Sequence, residues 1–347
     1  MKLGAVLRGY EIVTKPTNAD AGQCVWAFAE KDGQEYFVKE FLDPKRPGSM
    51  ADPEDRVLLM AQCEEFERRH RSVIDRIDPD GPHAGNLVVA RDFFFEGTRY
   101  YKVTDRLHPA ELDAPHELTS LQKTVLLNTL IDSLQLLHSL DIVHGDLKPD
   151  NILMHKPSSR GLFTAKLIDF DDAYLSGDPR DRDVIGGDVV HGAPEWLRYM
   201  RDPSVGPDRL TTAVDVFALA LIVHRFLTGT PPGVPSGFDS AAEAVNGGAS
   251  LAFDPRLHPV LLAMLLRATD ADPARRPSVR EIGDVLGTDG AVELVAHAPT
   301  TVVAAPAKTG RLRINLKGAA APDHIEPATR PRASRLRINL KGKGPAS

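Results

Sequence analysis

The chain has 347 residues, 42% of them apolar and 26% charged, the make-up of a water-soluble globular protein with room for two lobes and a tail. It contains no run of about 18 apolar residues, and Lys2, Arg8 and Glu11 interrupt its start, which argues against a membrane span or a signal peptide. Two cysteines, Cys24 and Cys63, exclude a disulfide framework and a cysteine-rich zinc site, so a cytoplasmic location is expected. The net charge of −6 is unevenly spread: residues 288–347 hold ten Lys/Arg against four Asp/Glu, leaving the body at −12. An acidic body argues against nucleic acid as its partner.

In chain order, short apolar runs at Tyr10–Val13, Val25–Ala29 and Tyr36–Val38 predict strands, the last two joined by a hairpin at Asp32-Gly33. Lys39 closes the third strand. From Pro53 to Ile77, the residues Leu59, Cys63, Phe66, His70, Val73, Ile74 and Ile77 form a helical stripe. Glu67 lies about 60° from its centre, nearer than Glu64 or Glu65. Turn residues at Asp78–Pro82 precede a hairpin of Leu87–Phe95 with Arg99–Thr104, and Ser120–Leu140 reads as an amphipathic helix.

That helix delivers the chain to Ile142-Val143-His144-Gly145-Asp146-Leu147-Lys148-Pro149-Asp150-Asn151, with Asp169-Phe170-Asp171 following eighteen residues after Asn151. Apolar runs at 152–154 and 165–168 place Asn151 and Asp169 at the ends of two short strands. These acids and this amide are the groups needed to move a phosphoryl group from a metal-bound nucleotide. HGDLKPDN and DFD resemble the catalytic loop and metal-binding turn of the protein-kinase-like superfamily.

The resemblance implies an α+β bilobal fold: an antiparallel sheet plus helix at 8–104, a mainly helical lobe at 105–287, then a tail. It implies ATP and magnesium as cofactors, with Asp146 accepting the acceptor hydroxyl's proton, Lys148 offsetting charge on the phosphate, and Asn151 and Asp169 holding metal. Lys39 would contact the α- and β-phosphates and pair with Glu67. Gly22 would lie in the phosphate-covering loop, Thr104 at the gatekeeper position, Asp105 and Leu107 at the adenine-binding hinge, and Leu153 beside the nucleotide. His144 would be a packing residue.

The sequence departs from the family pattern at several points. Only Gly22 remains of the loop glycines, and Trp26 and Phe37 replace small residues over the adenine. Gly145 stands where many kinases have an arginine that pairs with a phosphorylated loop, and Asp171 replaces a glycine. Asp188 takes the place of a threonine that supports the catalytic aspartate. HGD and DFDDA also resemble small-molecule phosphotransferases of the aminoglycoside and choline type, and the weak loop is compatible with a pseudokinase scaffold. Ala193-Pro194-Glu195, the run from Asp215 to Pro232, and Asp272–Pro277 match protein kinases at the right intervals. In that pattern Asp215 bonds the backbone near His144, and Arg276 pairs with Glu195. The balance favours a divergent bacterial-type Ser/Thr protein kinase acting on a protein substrate.

Beyond about Gly287, periodicity fails and Ala, Pro and Thr accumulate, which predicts disorder. Within this tail RLRINLKG occurs twice, at 311–318 and 335–342. Each copy alternates apolar residues (Leu312, Ile314, Leu316; Leu336, Ile338, Leu340) with basic or polar ones, as a strand added to a partner protein's sheet edge would. Neither copy has an aromatic to stack on bases, and neither is apolar enough for firm membrane binding.

Overall fold

A computed structural model describes residues 1–295 except 20, 21, 23, 49, 51, 82, 83 and 157–160. The tail repeats therefore lie outside the described residues. Six strands, β1 (Val6–Leu7), β2 (Tyr10–Ile12), β3 (Cys24–Lys31), β4 (Gln34–Phe41), β5 (Ala90–Glu96) and β6 (Arg99–Asp105), form one antiparallel sheet in the order β1-β2-β3-β4-β6-β5. The turn between β3 and β4 uses Asp32 and Gly33, both with positive φ (52° and 75°), as a tight hairpin of this twist requires. The strands extend beyond the apolar runs because their ends are held by cross-strand partners, such as Lys31 with Gln34 and Cys24 with Phe41.

Strand alternation sorts the two faces of this sheet. Ala27, Ala29, Val38 and Val103 pack on one side with Ile12 and Tyr101. The other side carries Phe41, Phe93 and Tyr100, which α1 (Pro53–Ile74) covers with Cys63, Phe66 and Ile74. Helix α1 stops at Ile74, three residues short of the predicted end, where the amides of Arg76 and Ile77 turn to the carbonyls of Val73 and Ile74, three residues back instead of four. Its start is fixed by Asp52, whose carboxylate accepts from the amide of Glu54, with Pro53 in the first turn.

The second lobe contains α2 (Ser120–Ser139), β7 (Ile142–Val143), β8 (Ile152–His155), β9 (Thr164–Leu167), β10 (Tyr174–Leu175), α3 (Pro194–Arg201), α4 (Ala213–Thr228), α5 (Ala241–Asn246), α6 (Pro259–Ala268) and α7 (Val279–Leu286). Helix α2 opens with a reciprocal Thr119–Gln122 capping box and buries Leu126, Leu130, Leu134 and Leu137. Helix α4 is buried almost all round and forms the centre of this core. The expected bilobal architecture is present, and residues 1–296 make one compact unit. Among the described residues no helix is long and apolar enough to cross a membrane.

His70 is a polar group placed inside the aromatic cluster under α1. Its ring stacks on Phe93 at 4.9 Å and 6° and meets Phe66 at 4.1 Å, and among the described residues its Nε2 has no hydrogen-bond partner. Burial pushes the imidazole pKa down to about 4, with the field of Asp171 working the other way. The folded protein thus binds fewer protons here than the unfolded chain. Stability is complete above about pH 6.5 and falls as pH drops from 6.5 toward 4, by about 3 kcal/mol for this site. Urea denaturation across that window should show the decline in the wild type and a flatter profile in His70→Leu.

Candidate active site

Two hairpin-like pairings gather the acidic groups. Strand β8 pairs with β9 in the register Ile152–Leu167, and the amide of Ile168 donates to Asn151 O at 3.0 Å. Asn151 and Asp169 therefore sit at the same end of this ribbon. Strand β7 pairs with β10, Val143 opposite Tyr174, which carries the loop 144–151 alongside the turn 169–172. Asp169 adopts φ 62° and ψ 71°, and Phe170 packs at 5.2 Å from the His144 ring.

The loop itself is held from below. Asp215, buried in the first turn of α4, accepts from the amides of His144 (2.8 Å) and Gly145 (3.1 Å) and meets His138 Nε2 at 3.0 Å. His144 Nε2 lies 3.0 Å from the carbonyl of Ile168, tying the loop to the ribbon as a packing residue does. A second support is the buried pair Glu195–Arg276, with two 2.7 Å contacts. Two further donors of Arg276 reach the carbonyls of Ala213 and Asp270, so four of its five N–H groups are bonded. Both tertiary contacts expected from the downstream motifs are thus in place.

At the centre, one carboxylate oxygen of Asp146 accepts from Lys148 Nζ at 2.6 Å and from Asn151 Nδ2 at 3.0 Å. Its other oxygen, Oδ1, is buried with no partner among the described residues. A buried carboxylate left half-satisfied is costly, and an incoming hydroxyl would relieve it. Leu153 is half-buried on the face of β8 opposite Ile152 and Met154, which enter the core. Among the described residues no group of three His, Cys, Asp or Glu side chains forms a ready-made metal nest. Asp169 and Asn151 fit a hard cation that completes its shell with phosphate and water oxygens.

Lys39 reaches this centre, but with different partners from those expected. Its Nζ lies 3.0 Å from Asp169 Oδ1 and 2.5 Å from Asp171 Oδ2. Burial works to lower its pKa, yet Asp171 and then Asp169 hold it above the ordinary lysine value. Glu67 does not pair with Lys39. It is taken by Arg46 and by the Tyr100 hydroxyl (2.5 Å), while Arg46 also donates to Tyr100 at 2.8 Å. The helical stripe correctly turned Glu67 toward the sheet; Arg46, in the connection after β4, intercepts it there.

Lys102, which sequence reasoning missed, ion-pairs with the second oxygen of Asp171. The signal was a lone lysine in the apolar alternation of Tyr100–Thr104, on the same strand face as Tyr100 and Thr104. Thr104 itself is buried and faces Phe37 across the ladder. Trp26 and Phe37 are stacked on each other at 5.4 Å, and Arg106 covers Phe28 at 3.9 Å. Asp105 ends β6 with its carboxylate held by Arg91, and Leu107 follows, half-buried, in an irregular segment. Gly22 has φ 58°, and its neighbours Asp20, Ala21 and Gln23 lie outside the described residues.

Two departures from the family pattern acquire local causes. Gly145 has φ 77°, and a Cβ there would stand 2.6 Å from the carbonyl oxygen of Asp172 and 3.0 Å from the Tyr174 ring. No arginine could occupy that position without moving the turn 169–172. Asp188 bends back on its own turn, accepting from the amides of Val190 and His191 and meeting His191 Nδ1 at 2.8 Å. Burial works to raise its pKa, but His191 holds it below the ordinary carboxylate value.

Comparison with known proteins agrees with the fold. Residues 80–285 match the family model described as protein kinase domain. The chain is 31% identical over 229 residues to the serine/threonine-protein kinase pkn2 of Myxococcus xanthus, covering 62% of this chain and 25% of that protein. It is 30% identical over 207 residues to the serine/threonine-protein kinase ULK3 of Mus musculus, covering 58% and 41%. Over 203 residues it is 30% identical to calcium-dependent protein kinase 21 of Oryza sativa, covering 57% and 32%. The chain thus spans between a quarter and less than half of the length of these relatives.

Replacing Gly145 by Ala tests the close approach of the two loops. The positive φ and the backbone contact predict a loss of about 1–3 kcal/mol in urea denaturation. Gly145→Arg should cost more.

Proposed function

This chain belongs to the protein kinase domain family, and we propose that it transfers the γ-phosphoryl group of ATP, with magnesium, to a serine or threonine hydroxyl of a protein. The observation that carries the reading is the half-satisfied carboxylate of Asp146: one oxygen is fixed by Lys148 and Asn151, the other is buried and open. In this reading the lobes divide at Thr104–Asp105, and the nucleotide lies between them.

Asp146 orients the acceptor hydroxyl and takes its proton at Oδ1. Lys148 shares Asp146 Oδ2 and offsets negative charge that builds up between acceptor and donor. Asn151 and Asp169 hold the cation, which when bound neutralises charge on the phosphate oxygens. Lys39 supplies an ammonium to the phosphates, Leu153 an apolar contact to the base, and the backbone of Asp105 and Leu107 hydrogen bonds to adenine. The phosphate-covering loop retains Gly22 as its point of close approach. The tail repeats at 311–318 and 335–342 serve as paired docking strands for a protein partner or substrate, with a gain from effective concentration. A cytoplasmic setting is consistent with two free, buried cysteines.

Transfer from radiolabelled ATP to the chain itself and to added basic proteins tests this, with a nucleotide-binding melt run alongside. Wild type should label serine or threonine, and Asp146→Ala and Asp169→Ala should each lower the rate by about a hundredfold or more. Equal labelling by Asp146→Ala would overturn the assignment. Label confined to an alcohol-bearing metabolite would point to a small-molecule phosphotransferase, and nucleotide binding without transfer to a scaffold.

A further inference from the structure

Lys39 and Lys102 stand directly opposite each other on β4 and β6, with their side chains on the same face. Both are buried, with side-chain exposures of 11% and 9%. Like charges at such a cross-strand position repel, and burial leaves little water to screen them. Asp171 lies between the two ammonium groups and offers one oxygen to each. It occupies the third position of the Asp-Phe-Asp turn, next to the metal-facing Asp169.

Three carboxylates are near enough to Lys39 by sequence or geometry to fix its position. Glu67 is committed to Arg46 and Tyr100. Asp169 must release Lys39 to whatever extent it binds a cation. Asp171 is the one whose bond to Lys39 conflicts with no other task. Resting on the kinase reading above, we infer that Asp171 is the positioning residue for the phosphate lysine, in place of a glutamate from α1, with Lys102 as the second cation that its carboxylate bridges.

The charge count explains why both partners are needed. Lys39, Lys102, Asp169 and Asp171 sum to zero. Removal of Asp171 leaves two lysines facing each other and one acid; removal of both Asp171 and Lys102 restores balance. Arg180 supports the arrangement from the other side by donating to the carbonyl of Asp171 at 2.7 Å.

The test uses the full chain without nucleotide first. Trace acetylation read by peptide mass spectrometry should show Lys39 several-fold more reactive in Asp171→Asn and unchanged in Glu67→Gln. Melting temperature should fall in Asp171→Asn and recover in part in the Asp171→Asn/Lys102→Met double variant, because the second change removes the repulsion. Binding of ADP with magnesium should weaken about tenfold or more in Asp171→Asn, in keeping with loss of a buried charge partner, and stay within about twofold of wild type in Glu67→Gln. Release of Lys39 by Glu67→Gln but not by Asp171→Asn would overturn the inference, as would a double variant whose losses simply add. Labelling and melting require no catalysis, so a wild type that fails to transfer phosphate would defeat the functional reading and still leave the bridge decided.

Discussion

The site depends on a carboxylate that never meets a substrate. Asp215 is buried at the N-terminal turn of α4, where the helix's free amides favour negative charge. It draws in two consecutive backbone N–H groups and one imidazole nitrogen. Those contacts hold residues 144 and 145 against the hydrophobic core, and the rest of the loop follows. Asp146 then faces Asn151, the β8–β9 ribbon brings Asp169 beside Asn151, and the cleft forms at the junction. Because Asp215 is satisfied, its burial adds rigidity to the loop without leaving an unpaired charge.

Much of this was legible in the letters, for a physical reason. The loop, the Asp-Phe-Asp turn and their eighteen-residue spacing depend on local pairing, where neighbouring side chains and short strands leave few arrangements. The contacts of Asp215 with the loop and of Glu195 with Arg276 were readable because their motifs appear in order and at intervals a single fold accommodates. Glu67 was not readable. A helical wheel reports direction, and it gave the correct face, but it carries no information on Arg46 reaching that face from another segment. Lys102 was missed because its meaning depends on the β4–β6 register, which sets it opposite Lys39 and which periodicity alone does not reveal. Asp171 stands out in the sequence only as a replacement for a glycine; in the fold its carboxylate bridges Lys39 and Lys102.

Other substitutions that look like losses are balanced locally. Asp188 finds two amides and the His191 ring within its own turn, so its charge is occupied there. Gly145 lacks an arginine side chain because the loop runs too close to the turn 169–172 to accept one. Trp26 and Phe37 stack with each other, turning two bulky replacements into a continuous aromatic surface on the sheet face that carries Lys39.

The bond from Glu67 to Arg46 and Tyr100 has a mechanical consequence. It fastens α1 to the central strands β4 and β6, at the level of the pair Phe41–Tyr100, and not to Lys39. Helix α1 is therefore tied to the aromatic cluster, while the ammonium of Lys39 is held by Asp169 and Asp171. The position of the lysine thus follows that of the Asp169–Asp171 turn, whose main chain Arg180 grips at the carbonyl of Asp171.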